Sequence, residues 1–378
     1  MTSYPRLVLD RDALDANIRT MSEWCAARGV ELAPHVKTTM SPEIVRRQAD
    51  AGAVALTVAT VDQAAAVLSW GHGAVLVANE VVDETGLGRL RALMRGDAGR
   101  DILILVDSLA GVAAASAVFD GTGPLLSVLV DVGADGGRTG VRSARDASDV
   151  ADAVVSAPGL RLVGVSGYEG VQPNRRDPAT LAAVDAHCRR VRDVFVALAA
   201  RFETAEPVYT MGGSAFPDRV VDLLPSGVPG TRIWLRSGCY VTHDHGTYAG
   251  VSPVAGLVPA LAVSAVVLST PEPGLSVLGA GKRDLPYDAG LPVLLEVRAR
   301  SAPCTTTTPS SRGWMSRSAP SCASGSRTRV PRSTGGPSSW PRYRTAATRS
   351  SGPPNSAGRS VSDRYAPIRR AAPDGSGG

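Results

Sequence analysis

Eight short apolar runs, each followed by a crossover with helical spacing, narrow the folds open to this chain more than any other feature. The runs are ELAPHV (31–36), ALTVAT (55–60), AVLVA (74–78), DILILV (101–106), LLSVLVDV (125–132), RLVGVS (161–166), PVYTM (207–211) and RIWLR (232–236). Between them lie segments such as SPEIVRRQADA and TLAAVDAHCRRVRDVFVALAARF, with apolar residues every three to four positions. Strand–crossover–strand repetition makes a parallel sheet. Val and Leu on both faces of the runs mean that helices cover it. Eight such units over roughly 230 residues fit a closed (β/α)8 TIM barrel; an open doubly wound sheet is the competing arrangement.

The barrel is expected over residues 1–254, opening with RLVLDRDALDANIRTMSEWCAARG, a strand and an amphipathic helix. Residues 255–300 read as the start of a β-rich second domain with Pro and Gly turns, and the pattern is lost near 300. From 301 to 378 the chain has 17 Ser and 12 Arg but no Leu, Phe, Lys or Glu, so it cannot bury enough apolar surface to offset chain entropy. That tail carries +10 of a whole-chain net charge of +5, which leaves residues 1–300 at −5. The basic character therefore belongs to the tail, and it is weak evidence for nucleic acid or a membrane surface. The 5 Cys are scattered without a close pair, and the N-terminus has no apolar leader. Both fit a cytoplasmic protein with reduced thiols.

In a barrel the chemistry sits where strands end. Lys37 ends the first run, Thr60 the second. The loop after the fifth run, DVGADGGRTGVR, holds Asp131, Asp135 and Arg138. The sixth leads into Tyr168 and Glu169, the seventh into Gly212, Gly213 and Ser214, the eighth into Gly238, Cys239, Tyr240, His243, Asp244 and His245. Glycines after the last two strands can bare backbone N–H groups to a phosphate, the usual cradle of this fold. Glycine is also needed for tight turns, so each pair alone says little. Lys37 is the only lysine in residues 1–281 and has no acid within four residues on either side. An amine whose pKa burial can lower is what Schiff-base chemistry uses. A lysine and a phosphate cradle on one mouth point to pyridoxal phosphate. The pair His243 and His245 reads as a loop rather than a metal site. Of Asp131 and Asp135, one is expected to orient Arg138 and the other to cap its loop.

The segments APHVKTTM, GGRTG, GYEG, MGGSAFPD, RSGCYVTHDHG and GAGKRDLPYD resemble the D-serine dehydratase / D-threonine aldolase family over roughly residues 5–298. Its members are pyridoxal phosphate enzymes with an alanine-racemase-like barrel, often labelled amino acid deaminases in bacteria. The resemblance implies that Lys37 bonds the cofactor's aldehyde and that Arg138 contacts its ring oxygen. Tyr168 would line the ring. Gly213, Ser214, Gly238 and Cys239 would hold the phosphate, with His35, Thr60, Gly212 and Tyr240 also at the cofactor. A D-amino acid substrate and a homodimer follow from the same resemblance.

The chain departs from the family after residue 300. Intact members carry a His-x-Cys zinc site in a segment like SHPCTTFDRW, whereas all 5 histidines here precede residue 246. The codons of SRTRVPRSTGGP (326–337), regrouped by one frame, permit Ser-His-Pro-Cys-Ala-Thr-Val-Asp-Arg-Trp-Pro. A frameshift near Arg298–Ser301 is therefore expected, with the tail an out-of-frame translation lacking the metal ligands. The intact enzyme would dehydrate a D-β-hydroxy amino acid such as D-serine to a keto acid and ammonia. Retro-aldol cleavage of the D-threonine aldolase type, a pyridoxal phosphate-binding protein without turnover, and a racemase are the alternatives.

Overall fold

A computed structural model of the protein describes residues 3–97, 99–272, 275–285 and 290–295, and short backbone stretches at 330–331 and 342–344. The rest of the tail, with all of the proposed frameshifted motif but residues 330–331, lies outside the described residues.

All eight apolar runs become strands of one parallel sheet: Glu31–Leu32 (β2), Leu56–Val58 (β3), Ala74–Glu80 (β4), Asp101–Val106 (β5), Leu126–Val132 (β6), Leu160–Gly167 (β7), Val208–Met211 (β8) and Arg232–Leu235 (β9), preceded by Arg6–Leu9 (β1). Each is followed by a helix: Pro42–Asp50 (α2), Val61–Ser69 (α3), Glu84–Arg95 (α4), Leu109–Val118 (α5), Ala144–Val155 (α6), Pro178–Ala197 (α7), Pro217–Val221 (α8) and Thr247–Val251 (α9), with Arg11–Ala26 (α1) ahead of β2. Strand order runs β2-β9-β8-β7-β6-β5-β4-β3. The ring closes between its two ends, where His35 bridges Thr57 and the Val36 and Thr57 amides bond Thr57 O (2.8 Å) and Pro34 O (2.9 Å). Pro34 has no N–H to give a ladder, so the regular strand stops early while its pairing to β9 continues through Ala33 and His35. The arrangement is the (β/α)8 barrel expected from the sequence.

Helix starts follow side-chain chemistry. Asp10, Thr60, Asp83, Ser108, Ser143 and Asp177 each accept a backbone N–H of the first turn of α1, α3, α4, α5, α6 and α7. The period-2 alternation of the strands then sorts the interior into layers. In β6, Val128, Val130 and Val132 face the helices, while Ser127, Leu129 and Asp131 face inward. The middle layer is apolar, with Ala33, Ala55, Leu76, Leu103, Leu129, Val163, Val208 and Trp234 in contact. Below it Arg232 pairs with Glu31 (2.7 Å), which also accepts Trp234 Nε1 (3.0 Å). Above it, at the strand C-termini, Thr57, Asp131, Ser166, Thr210 and Arg236 are buried and polar. Burying polar groups on one end of an otherwise apolar barrel is costly unless each is paired, so that end is where the site is built.

Outside the barrel, β1 pairs antiparallel with Leu261–Ser264 (β10), in register from Arg6 opposite Ser264 to Leu9 opposite Leu261. Val267–Glu272 (β11) pairs antiparallel with Leu275–Leu278 (β12). The first strand thus joins the sheet that follows the barrel. Val330–Pro331 (β13) and Arg342–Arg344 (β14) extend these two sheets beside β10 and β12. Among the described residues no helix is long and apolar enough to cross a membrane.

Candidate active site

A cleft of about 750 Å³, open to solvent, occupies the C-terminal mouth of the barrel. His35, Lys37, Asn79, Asp131, Arg138, Tyr168, Gly212 and Arg236 are among its lining residues. Lys37 stands at the rim, one residue past the strand closure. Among the described residues its amine has neither a hydrogen bond nor an ion pair. The surrounding walls, and next the Arg138 charge, hold its pKa below the ordinary lysine value. His35 beside it is pushed down to about 3 by burial, Lys37 and Arg236, so its imidazole is neutral, and among the described residues its Nδ1 is buried without a partner.

The loops after β8 and β9 converge on one oxygen. The backbone N–H groups of Gly238 (3.3 Å) and Cys239 (3.1 Å) both donate to Ser214 Oγ. Two amides aimed at one oxygen form an anion nest. Gly238 is required there, since a Cβ would lie 2.1 Å from His35 O.

Four residues or pairs singled out in the sequence have other partners in the structure. Gly213 does not offer its N–H to this nest, because it donates to Glu169 Oε1 at 2.6 Å. The Thr60 hydroxyl is spent capping α3 through Gln63 N (3.2 Å), and Ala59 lines the cleft in its stead. Tyr240 is buried behind the nest with its hydroxyl accepting Gln48 Nε2 (2.8 Å). It lines a smaller adjoining cavity together with Ser214, His243 and Tyr248. Neither aspartate orients Arg138: Asp131 accepts the Thr139 hydroxyl (3.0 Å), and Asp135 pairs with Arg190 of α7 (3.0 Å). Asp244 caps the next turn by accepting the Gly246 and Tyr248 amides. Among the described residues no group of three His, Cys, Asp or Glu could hold a metal ion.

The sequence reading missed Arg236. It is 4% exposed and donates to Thr210 Oγ1 (2.9 Å), Ser166 Oγ (3.3 Å) and Gly167 O (2.7 Å). The signal was present: Arg232, Trp234 and Arg236 alternate in phase, so all three point inward. Two acids were missed too: Glu80 ends β4 and Asp107 directly follows β5, and both act on the same mouth as Asp131 near the end of β6. Burial raises the Glu80 carboxyl to about 7, aided by Asp131 and Asp107, and among the described residues both its oxygens are buried without a partner outside their own residue.

That shift has a sign. Folded Glu80 binds its proton more tightly than the unfolded chain does, so its contribution is fully present below about pH 4.5 and is lost as pH rises through about 7. Glu80→Gln is expected to stabilise the protein by about 1–3 kcal/mol at pH 8 and to leave it nearly unchanged at pH 4. Urea unfolding at both pH values measures this; an equal effect at both would sink it.

The family model for the alanine racemase N-terminal domain matches residues 9–216. A 3-hydroxy-D-aspartate aldolase of Paracoccus denitrificans (strain Pd 1222) is 28% identical over 304 residues, 76% of this chain and 74% of its own. A D-threo-3-hydroxyaspartate dehydratase of Delftia sp. (strain HT23) is 29% identical over 296 residues, 76% and 73%. The crystal structure of D-threonine aldolase from Filomicrobium marinum superposes with a TM-score of 0.69 at 26% identity, covering 88% of each chain. With the matched stretch reaching from the end of β1 through the Gly-Gly-Ser turn after β8, the chain belongs to the family of the alanine racemase N-terminal domain.

Proposed function

We propose that the protein is a pyridoxal phosphate-dependent lyase of D-configured β-hydroxy amino acids. One observation carries this reading: a pKa-depressed lysine, unpaired among the described residues, shares a barrel mouth with a two-amide anion nest. The residues fit the cofactor, since two backbone amides and the Ser214 hydroxyl, all able to donate to an anion, converge at one point of the mouth. The relatives named as D-hydroxy amino acid aldolases and dehydratases support the substrate class.

Gly238 N, Cys239 N and the Ser214 hydroxyl would hold the phosphate, and Lys37 Nζ would bond the aldehyde. When bound, the cofactor supplies that aldehyde and a ring that takes up the charge left at Cα. Once substrate displaces it, Lys37 Nζ is a free amine of lowered pKa, suited to take the Cα proton. Arg138 and Arg236 keep two fixed positive charges on the cleft wall. Such charges disfavour protonation of a basic nitrogen nearby. Tyr168 flanks the cleft with its hydroxyl neutral, because burial and Glu169 raise its pKa.

Loss of the β-hydroxyl of D-serine as water would leave an enamine, which adds water back to give a keto acid and ammonia; retro-aldol cleavage would give glycine and an aldehyde. The family's zinc ligands would come from the shifted frame of residues 301–378. The test is to assay the chain as written and a frame-restored chain, each with pyridoxal phosphate and added zinc. D-serine, D-threonine and D-3-hydroxyaspartate are the substrates, with their L-enantiomers as controls. Turnover of D-substrates, stronger in the restored chain, is expected. Solvent-deuterium exchange without bond cleavage, or cofactor uptake with no turnover in either chain, would overturn the lyase reading.

A further inference from the structure

The loop that carries Arg138 is built around a second arginine. Val141 N donates to Asp131 O (2.8 Å) and Gly133 N to Val141 O (3.0 Å), so residues 133–141 fold back on themselves. Inside that fold lies the Arg142 guanidinium. Nη1 donates to the carbonyls of Thr139 (2.7 Å) and Gly140, and Nη2 to those of Gly137 and Arg138 (3.2 Å each). Gly133 makes the room, since a Cβ there would sit 1.8 Å from Arg142 Nη1. Four consecutive carbonyls turn toward one side chain, and the Arg138 side chain lines the cleft.

The loop needs such an anchor. Gly136 (φ +69°) and Gly140 (φ +93°) sit in the left-handed region, and glycines there carry the largest conformational freedom of any residue. Gly140 N–H is tied to Asp107 Oδ2 (2.9 Å), but among the described residues Gly137 and Arg138 have no comparable backbone tether to a neighbouring strand. A planar guanidinium with five donors can span four carbonyls; a lysine ammonium, with three donors on one atom, cannot.

We propose that Arg142 is a positioning residue of the cofactor site: it fixes the 137–140 backbone in the shape that aims Arg138 into the cleft, and thereby sets cofactor affinity without touching the cofactor. This deepens the reading above and rests on it.

The experiment is a double-mutant cycle on the full chain, with pyridoxal phosphate affinity as one readout. The other is the titration of Lys37 in cofactor-free protein, followed by its rate with an amine-reactive reagent. Arg142→Met is expected to weaken pyridoxal phosphate binding about tenfold, and Arg138→Ala by as much or more. In the Arg138→Ala background, Arg142→Met should change affinity by less than about twofold, because its effect passes through Arg138. Both single variants should raise the Lys37 pKa, since the Arg138 charge no longer stands beside the amine. A loop that merely loses stability would instead multiply the two losses, and that result, or no loss from Arg142→Met, overturns the proposal. If Arg142→Met does not fold, Arg142→Lys carries the same cycle. If the wild-type chain takes up no pyridoxal phosphate, the cofactor reading fails, while the Lys37 titration still decides whether Arg142 positions Arg138.

Discussion

Lys37→Ala is expected to abolish the visible absorbance that the protein gains with pyridoxal phosphate, and to lower any lyase turnover by at least about a thousandfold. The effect should be chemical rather than structural. The Lys37 side chain is exposed at the cleft rim and, among the described residues, makes no hydrogen bond or ion pair, so stability should change by less than about 0.5 kcal/mol. The composition of the chain sharpens the test. Its two lysines are Lys37 and Lys282. Borohydride reduction of the loaded protein should fix the pyridoxyl group on the peptide containing residue 37. Lys282→Ala should leave both band and label intact. A Lys37→Ala protein that keeps the same band, or a label recovered on residue 282, would remove Lys37 from its assigned role.

How much of this was legible in the sequence depends on which physical rule wrote each part. The barrel was readable because apolar period and length are local properties: DILILV, for example, is a strand over those same six residues, Asp101–Val106. Lys37 was readable because lysine is so scarce here. The cradle was half readable. Glycine after a strand marks where a backbone can turn, but not which way each amide points. Gly238 N faces the nest, while Gly213 N faces a carboxylate that arrives from Glu169 on another strand end. Thr60 is ambiguous in the sequence because a helix N-cap and a ligand contact ask for the same hydroxyl at the same place, and the structure shows the cap. Asp135 was misread because its partner Arg190 is 55 positions away on α7, a distance that no local pattern encodes. Arg236 was overlooked for the opposite reason: as the last letter of an apolar run it looked like a flanking charge, although alternation with Trp234 sends it to the floor of the mouth.

Arg236→Met should be the most damaging single change outside the lysine. The guanidinium satisfies Thr210, Ser166 and the Gly167 carbonyl, and its charge offsets Asp131 and Glu169, which are 6% and 0% exposed. Methionine fills similar volume but leaves those acceptors unpaired and two buried carboxyls without their cation. Removing one member of a buried charge cluster costs about 3–5 kcal/mol. The loss should depend on pH, and its direction can be stated. Burial already raises both carboxyls, and the Arg236 charge pulls each part of the way back down. Without it their folded pKa values rise further, so the folded variant holds protons that the unfolded chain releases. Its deficit is then smallest in acid, where both carboxyls are protonated in either state, and grows as pH climbs through the raised folded values. Denaturant midpoints at about pH 4.5 and pH 8 should separate wild type and variant by clearly more at the higher pH. Asp131→Asn added to Arg236→Met should recover part of the gap there, since it removes one of the stranded charges. A deficit equal at both pH values, with no recovery from Asp131→Asn, would mean that Arg236 holds the barrel mouth through packing and neutral hydrogen bonds, not as the counter-charge of its acids.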